Sequence, residues 1–159
     1  MSKISDIDKL DKQILSVLMK DAKTPYTDIA KKLYVSGGTI HVRMKKLEQL
    51  GIVKNASLEV DHVKLGYDIC AYLGIYLDKS SLYTDVSGNL GKIPEVVTAH
   101  YTTGLYNIFA KIICNDTNHL RLVLNKIQRI DGIQRTETFI SLENSIDRPI
   151  QLLNDEDEI

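Results

Sequence analysis

One stretch constrains the fold more than any other: residues 27–51, TDIAKKLYVSGGTIHVRMKKLEQLG. Ile29, Ala30 and Leu33 share one face of a short helix for which Thr27 is the expected N-cap. The run breaks at Tyr34-Val35-Ser36. Ser36 then caps a longer helix with Ile40, Met44 and Leu47 inward, Leu50 at its end and Gly51 as its stop. A short helix, a three-residue break and a capped second helix describe a helix-turn-helix, which can lay its second helix in a DNA major groove. The side read as opposite Ile40 and Met44 carries Thr39, Arg43 and Lys46, flanked by His41 and Lys45. On this reading Thr39 or His41 approaches base edges, and Arg43, Lys45 and Lys46 reach phosphates or guanine edges. Lys31 and Lys32 clamp the DNA backbone from the preceding helix. The competing reading is an ordinary solvated helix in a small bundle.

An earlier helix completes the unit. Leu10, Ile14, Val17 and Leu18 recur at helical spacing after the acidic start Asp6-Ile7-Asp8, which suits the positive end of a helix dipole. It should stop near Asp21-Ala22, and Pro25 bars its continuation. Three short amphipathic helices bury a common core that none could bury alone. The charge follows the same boundary. Residues 1–65 hold 12 Lys/Arg against 8 Asp/Glu, a net of +4, whereas residues 66–159 hold 8 against 13, a net of -5. A basic module joined to an acidic remainder is compatible with DNA binding despite a whole-chain charge of -1, because attraction depends on the local field. Solubility alone would also account for the charges.

After Gly51 the hydrophobic period changes. Residues 52–60 read as two short extended pieces around Asn55-Ala56, a small wing or the start of a linker, with Lys54 placed to touch a phosphate. Residues 62–66 read as a hinge between a helix-turn-helix domain, 1–61, and a second domain, 67–159. In the second domain, strand 67–77 is followed by a helix over 80–90 and strands over 95–102 and 105–114. A helix then starts at Asp116 or Thr117, and a last strand spans 134–142. Strand, helix, strand, strand, helix, strand is the split βαβ order of ferredoxin-like α+β folds. Helices would cover only one face of such a sheet. If Ile69, Leu73 and Ile75 face them, Tyr72 and Tyr76 face away and need another surface, which a second subunit can provide. A dyad-related pair of helix-turn-helix units would also read a palindrome.

Catalytic and metal chemistry find little support. His41, His62, His100 and His119 have no close ligand spacing, and Gly37-Gly38 lacks the lysine and following hydroxyl of a phosphate loop. Cys70 and Cys114 lie in apolar runs without CxxC spacing, as buried thiols of a reducing compartment do. A metabolite-sensing or enzymatic ferredoxin-like protein, and an assembly protein whose basic module meets acidic protein, are the rival classes. There is no apolar signal core, and charges interrupt every long hydrophobic run, so export and membrane spanning are not expected. The NDEDEI end is acidic and expected to fray.

Several strings in fixed order are more specific than a lone helix-turn-helix. They are Leu10-Asp11 with Ile14-Leu15, GTIHVR at 38–43, LGYD at 65–68, YTTG at 101–104, NKIQ at 125–128 and TET at 136–138. Over residues 6–150 the sequence resembles the Lrp/AsnC, or feast/famine, family of prokaryotic transcription regulators. The resemblance implies a winged helix-turn-helix, a hinge, and a C-terminal domain that oligomerises and binds a small amino acid, with no cofactor and no catalysis. It implies a cytoplasmic protein, nucleoid-associated when bound to operator DNA, made of dimers that associate into an octamer. The runs lie nearest the asparagine-responsive branch, implying L-asparagine as effector before leucine or glutamine. Asparagine-synthesis genes and its own gene are the implied targets. The family's recognition helix maps onto residues 36–50; Gly37 departs from a common proline there but leaves a backbone N–H free to approach a phosphate. The effector pocket maps onto Tyr101, Thr102, Thr103, Gly104, Tyr106 and Asn107. Gln128, Asp131, Gln134, Thr136 and Thr138 would come from a neighbouring subunit. Asn107 stands where many relatives carry aspartate, removing a charge that could pair with an amino group.

Overall fold

A computed structural model describes residues 7–153. Backbone proximity divides the chain into two units, residues 59–145 forming one and the flanking residues the other.

In the first unit, α1 spans Lys9–Lys20, α2 Tyr26–Lys32 and α3 Gly37–Gln49. Helix α1 begins with a reciprocal cap. The Asp11 N–H donates to Asp8 Oδ1 at 2.9 Å, and the Asp8 N–H donates to Asp11 Oδ2 at 3.2 Å. Two otherwise unpaired backbone donors are thereby satisfied. Thr27 is not the N-cap of α2. The helix starts one residue earlier, with Pro25 at the cap, φ −60°, its carbonyl accepting from the N–H groups of Asp28 and Ile29. The fixed proline φ sets up the first turn without a side-chain cap. Ser36 does cap α3, its Oγ accepting from the Thr39 N–H at 3.1 Å. Between the helices, Tyr34 holds φ 55° and is almost wholly exposed, so the sharp turn is made by a non-glycine residue in the left-handed region. Ile14, Leu15, Ile29, Ala30, Ile40, Met44 and Leu47 form the buried core. Leu50 lies outside it at the helix end, and Gly51 at φ 69° turns the chain away. The segment after Gly51 contains no assigned strand up to residue 60, and Lys54 is exposed on it. Two short extended pieces without a third strand gain too little to form a regular ladder.

The second unit opens with a 3-10 turn, Val63–Leu65, closed by Gly66 at φ 86°. Next come β1 Ile69–Leu77, a 3-10 turn at Ser80–Leu82 running into α4 Tyr83–Leu90, and β2 Val96–Tyr101. The unit continues with β3 Ile108–Cys114, α5 Thr117–Gln128 and β4 Ile133–Ile140. The sheet is antiparallel throughout in the order β2-β3-β1-β4, the ferredoxin-like arrangement. One face supplies Ala71, Leu73, Ile75, Leu77, Ile108, Ala110 and Ile112 to a core closed by Val86 and Leu90 of α4 and Leu120, Val123 and Ile127 of α5. Both cysteines are free, and burial pushes the Cys114 thiol above its ordinary range. No helix among the described residues is long and apolar enough to cross a membrane.

The end of the chain departs from the expected 67–159 domain. Residues 146–153 group with the first unit, where Leu153 is buried and Leu152 packs against the three-helix core. Apolar burial decides this; the acidic composition of the last residues gave no sign of it. The residues expected to fray, 154–159, lie outside the described ones.

Candidate nucleic-acid interface and effector-side turn

The outward face of α3 is not the one the spacing suggested. Arg43 and Lys46 turn back onto α1. The Arg43 guanidinium binds the Asp8 carboxylate and sits 3.2 Å from Asp11 Oδ1, while Lys46 Nζ lies 3.4 Å from Asp11 Oδ2. Asp11 has no solvent exposure, so its negative charge requires these cations. The geometric reason is that position 43 lies three residues from Ile40 and four from Leu47, on the flank of the buried stripe. Hydrogen bonds from the Asp11 N–H and then from Arg43 hold the Asp8 carboxyl below its usual range, and the Asp8 contact raises the guanidinium. Thr39 is also engaged and half-buried, its hydroxyl 2.9 Å from Ser36 Oγ.

What α3 does expose is Gly38, His41, Val42, Lys45, Glu48 and Gln49. These recur at three- and four-residue intervals and form one continuous strip. His41 meets Tyr26 of α2 edge-on at 4.8 Å, which steadies its ring at the leading end of the helix. Val42, 69% exposed, was missed by sequence reasoning; an apolar residue off the core stripe was the available signal. Lys31 and Lys32 are exposed at the end of α2, Lys31 lying 3.6 Å from Asp28. Gly37 and Gly38 begin α3 with little side-chain bulk: a Cβ at Gly37 would meet nothing within 4 Å. Backbone N–H groups at this end are therefore sterically approachable.

The second set of candidate residues falls in two places. Tyr101, Thr102, Thr103, Gly104, Tyr106 and Asn107 form the β2–β3 turn, with Gly104 at φ 107°. The turn is closed from within: Thr102 Oγ1 donates to the Tyr106 carbonyl at 2.7 Å, and the Thr102 N–H to the Asn107 carbonyl at 3.0 Å. Tyr101 packs on Tyr83 at 4.3 Å. Asn107 does not offer a free amide. Its Oδ1 accepts from the Leu77 N–H at 2.9 Å and its Nδ2 donates to Ser80 Oγ at 3.3 Å. It is a structural clasp where the third strand begins, and β3 starts after it rather than at Leu105.

Gln128, Asp131, Gln134, Thr136 and Thr138 lie at the end of α5 and along β4. Gln128 Nε2 donates to Thr136 Oγ1 at 3.2 Å, and Gln134 occupies the irregularity in the β1–β4 pairing. Strands β2 and β4 are opposite edges of the sheet, three inter-strand spacings or about 14 Å apart. The two sets do not form a single enclosure within one chain.

Sequence reasoning put Tyr72 and Tyr76 on the open sheet face but missed the contacts at its centre. Tyr106 lies across Gly74, where a Cβ would stand 2.4 Å from the ring, and its hydroxyl donates to Glu137 Oε2 at 2.8 Å. Tyr76 donates to Glu137 Oε1 at 3.2 Å and carries the Arg135 guanidinium over its ring at 3.8 Å. Tyr72 stacks on Phe109 beside them. The Glu137 contact first, then burial, raises the Tyr106 phenol; burial and then Glu137 raise that of Tyr76, so both remain donors. A glycine inside a strand was the usable signal, since it marks a close approach.

A three-helix unit with an exposed strip on its third helix, joined to a half-covered ferredoxin-like sheet, defines a two-module DNA-binding regulator. A winged helix-turn-helix model matches residues 7–54, and the Lrp/AsnC ligand binding domain matches residues 70–150. The chain is 50% identical to the regulatory protein AsnC of Haemophilus influenzae, covering 92% of this chain and 98% of that one. The structure of Escherichia coli AsnC superposes with a TM-score of 0.86 at 44% identity, covering 91% and 98% of the two chains. A transcriptional regulator of Neisseria meningitidis, solved as its L-Met complex, shares the fold at a TM-score of 0.84 and 21% identity over 89% and 94%. The chain belongs to the Lrp/AsnC family of transcriptional regulators, closely related to AsnC. It is a sequence-specific DNA-binding regulator and not an enzyme.

Proposed function

We propose that the chain reads its operator through the strip His41, Val42 and Lys45 on α3, with Gly37 and Gly38 at the leading end. Lys31, Lys32 and Lys54 supply phosphate contacts. The observation that carries this reading is the engagement of Arg43 and Lys46 by Asp8 and Asp11, which leaves the 38–41–42–45–48–49 strip as the outward face. Val42 suits a thymine methyl and Lys45 a guanine edge or phosphate. DNA titration of folded variants tests the assignment. Truncating a base-reading side chain, as in His41→Ala or Lys45→Ala, should cost about 1–3 kcal/mol on operator and less on random duplex. Lys31→Ala should weaken both alike. Operator affinity unchanged in both His41→Ala and Lys45→Ala would overturn it.

The effector is a small amino acid, and L-asparagine is the first candidate, on the resemblance of the sequence runs to the asparagine-responsive branch of the family. The L-Met complex of the Neisseria meningitidis relative supports the class of ligand and leaves the side chain open. The β2–β3 turn and the β4 edge stand too far apart in one chain to share a ligand, which favours a site between subunits. Tyr101, Thr103 and Gly104 would come from one chain, and Gln134 and Thr138 from its neighbour. The aromatic sheet face is the proposed dimer surface, and octamers are the proposed larger assembly, acting in the cytoplasm on the nucleoid. Calorimetric titration with the twenty amino acids should give asparagine the largest signal; leucine or glutamine binding without asparagine would reject the effector.

A further inference from the structure

The turn between α2 and α3 is built in an uncommon way. Among the described residues the left-handed backbone positions are Gly51, Gly66, Gly104, Gly132 and Tyr34, the last at φ 55°. Glycine takes such a position without a Cβ clash, whereas a bulky aromatic residue there holds the backbone in a strained region. Packing of the ring does not offset that strain, since Tyr34 is 96% exposed. A strained backbone under a large ring left in water points to a partner outside the chain.

The surroundings narrow the partner. The Tyr34 N–H donates to the Lys31 carbonyl at 3.3 Å, and the Val35 N–H to that of Ala30 at 3.0 Å, which fixes the turn against the end of α2. Val35 packs on the three-helix core, leaving Tyr34 as the outward side chain of the turn. Before it stand the exposed Lys31 and Lys32; after it Ser36 caps α3 and Gly37 presents no side chain. Asp28, the one carboxylate of α2, is already paired with Lys31 at 3.6 Å. A turn set between two lysines and an unhindered helix start suits an anion, and a phenol hydroxyl donates readily to a phosphate oxygen.

We infer that the Tyr34 hydroxyl donates to a DNA backbone phosphate and fixes the register at which α3 enters the groove. The inference rests on the reading of α3 and the α2 lysines as the side that meets DNA. A phosphate contact carries no sequence information, so it strengthens binding to any duplex. Unlike a lysine, the hydroxyl brings no positive charge and releases no counterion.

Two full-length variants test the contact. Tyr34→Phe removes the hydroxyl alone, and Tyr34→Gly removes the ring together with the backbone strain. By fluorescence anisotropy both should bind operator and random duplex about threefold to tenfold more weakly than the parent. The slope of log affinity against log salt should stay parent-like in Tyr34→Phe, whereas Lys31→Ala should reduce it by about 0.9. Tyr34→Gly should melt at or above the parent temperature, because relief at φ 55° offsets the freer unfolded chain. A ring that merely supported the fold would give the opposite, a lower melting temperature with parent-like DNA binding, and that result would overturn the inference. Weak binding by Tyr34→Gly with parent-like binding by Tyr34→Phe would assign the contact to the ring and overturn the hydroxyl–phosphate bond. Loss on operator alone would make Tyr34 a reader of bases and overturn it equally. His41→Ala, Lys45→Ala and Lys31→Ala measured in parallel separate the two readings. Weakening in those three but not in the Tyr34 variants would overturn this inference alone; weakening in none of the five would remove the proposed DNA-facing side and this inference with it.

Discussion

Arg43 is the residue where sequence spacing and structure part. Its place beside the buried stripe makes it a clamp for the charge of Asp11, with Lys46 as second cation. Arg43→Ala is therefore expected to destabilise the first unit by about 2–3 kcal/mol. That is less than the roughly 3–5 kcal/mol of a fully buried pair, because Lys46 remains and the guanidinium is partly solvated. Urea unfolding checks this, with His41→Ala and Lys45→Ala expected within about 0.5 kcal/mol of the parent. An undiminished midpoint in Arg43→Ala would restore it to the outward face. Glu95 gives a pH prediction. His119 Nε2 meets Glu95 Oε1 at 2.9 Å and, more than the nearby Lys126, holds the carboxyl below its ordinary 4.5. A depressed carboxylate stabilises the fold fully above its ordinary value and loses that contribution as pH falls through the depressed one. Unfolding midpoints between pH 7 and pH 3 should therefore drop less steeply in Glu95→Gln than in the parent.

At the scale of elements, the open sheet face is fitted around a glycine. Gly74→Ala would drive a methyl into the Tyr106 ring, and displacing that ring also breaks its 2.8 Å bond to Glu137. A cost of about 1–3 kcal/mol is expected from the overpacking. In a Tyr106→Ala background the same substitution should cost nothing or stabilise slightly, since alanine restricts the unfolded chain more than glycine. A thermal double-mutant cycle measures the coupling; an equal cost in both backgrounds would mean that the ring is not what the methyl meets. Helix α3 makes the corresponding point about capping. Ser36 was legible as its cap because a hydroxyl before a helical run has one evident partner, the N–H three residues on. Thr27 carried the same signal and was displaced by Pro25, whose fixed backbone starts α2 a residue sooner.

For the whole molecule, the uncovered aromatic face sets the expectation for assembly. Tyr72, Tyr76, Tyr106, Phe109 and Phe139 lie on the side of the sheet away from α4 and α5. Light scattering over a dilution series should find the dimer as the smallest stable species, with octamers at higher concentration. Phe109→Glu should shift the population to monomer while leaving the helical content intact, because a charge in a closely packed face is desolvated without a partner. A parent monomeric at micromolar concentration would contradict the proposed dimer face.

Local patterns in the sequence determined the helix-turn-helix, the ferredoxin-like order of elements, the cores of both units and the family. Each rests on short-range rules: helical spacing in Ile40-Met44-Leu47, the same-side placing of Ile69, Leu73 and Ile75, and the stop at Gly51. Tertiary structure alone decided which polar groups are already spent. Arg43 is taken by residues more than thirty positions earlier, Asn107 by the backbone of Leu77, and Tyr106 by Glu137. The destination of Leu153 was equally hidden, since a single apolar residue has no period. Periodicity records which side of an element faces a core; it carries no record of the distant partner that satisfies a charge, an amide or a hydroxyl once the chain has closed upon itself.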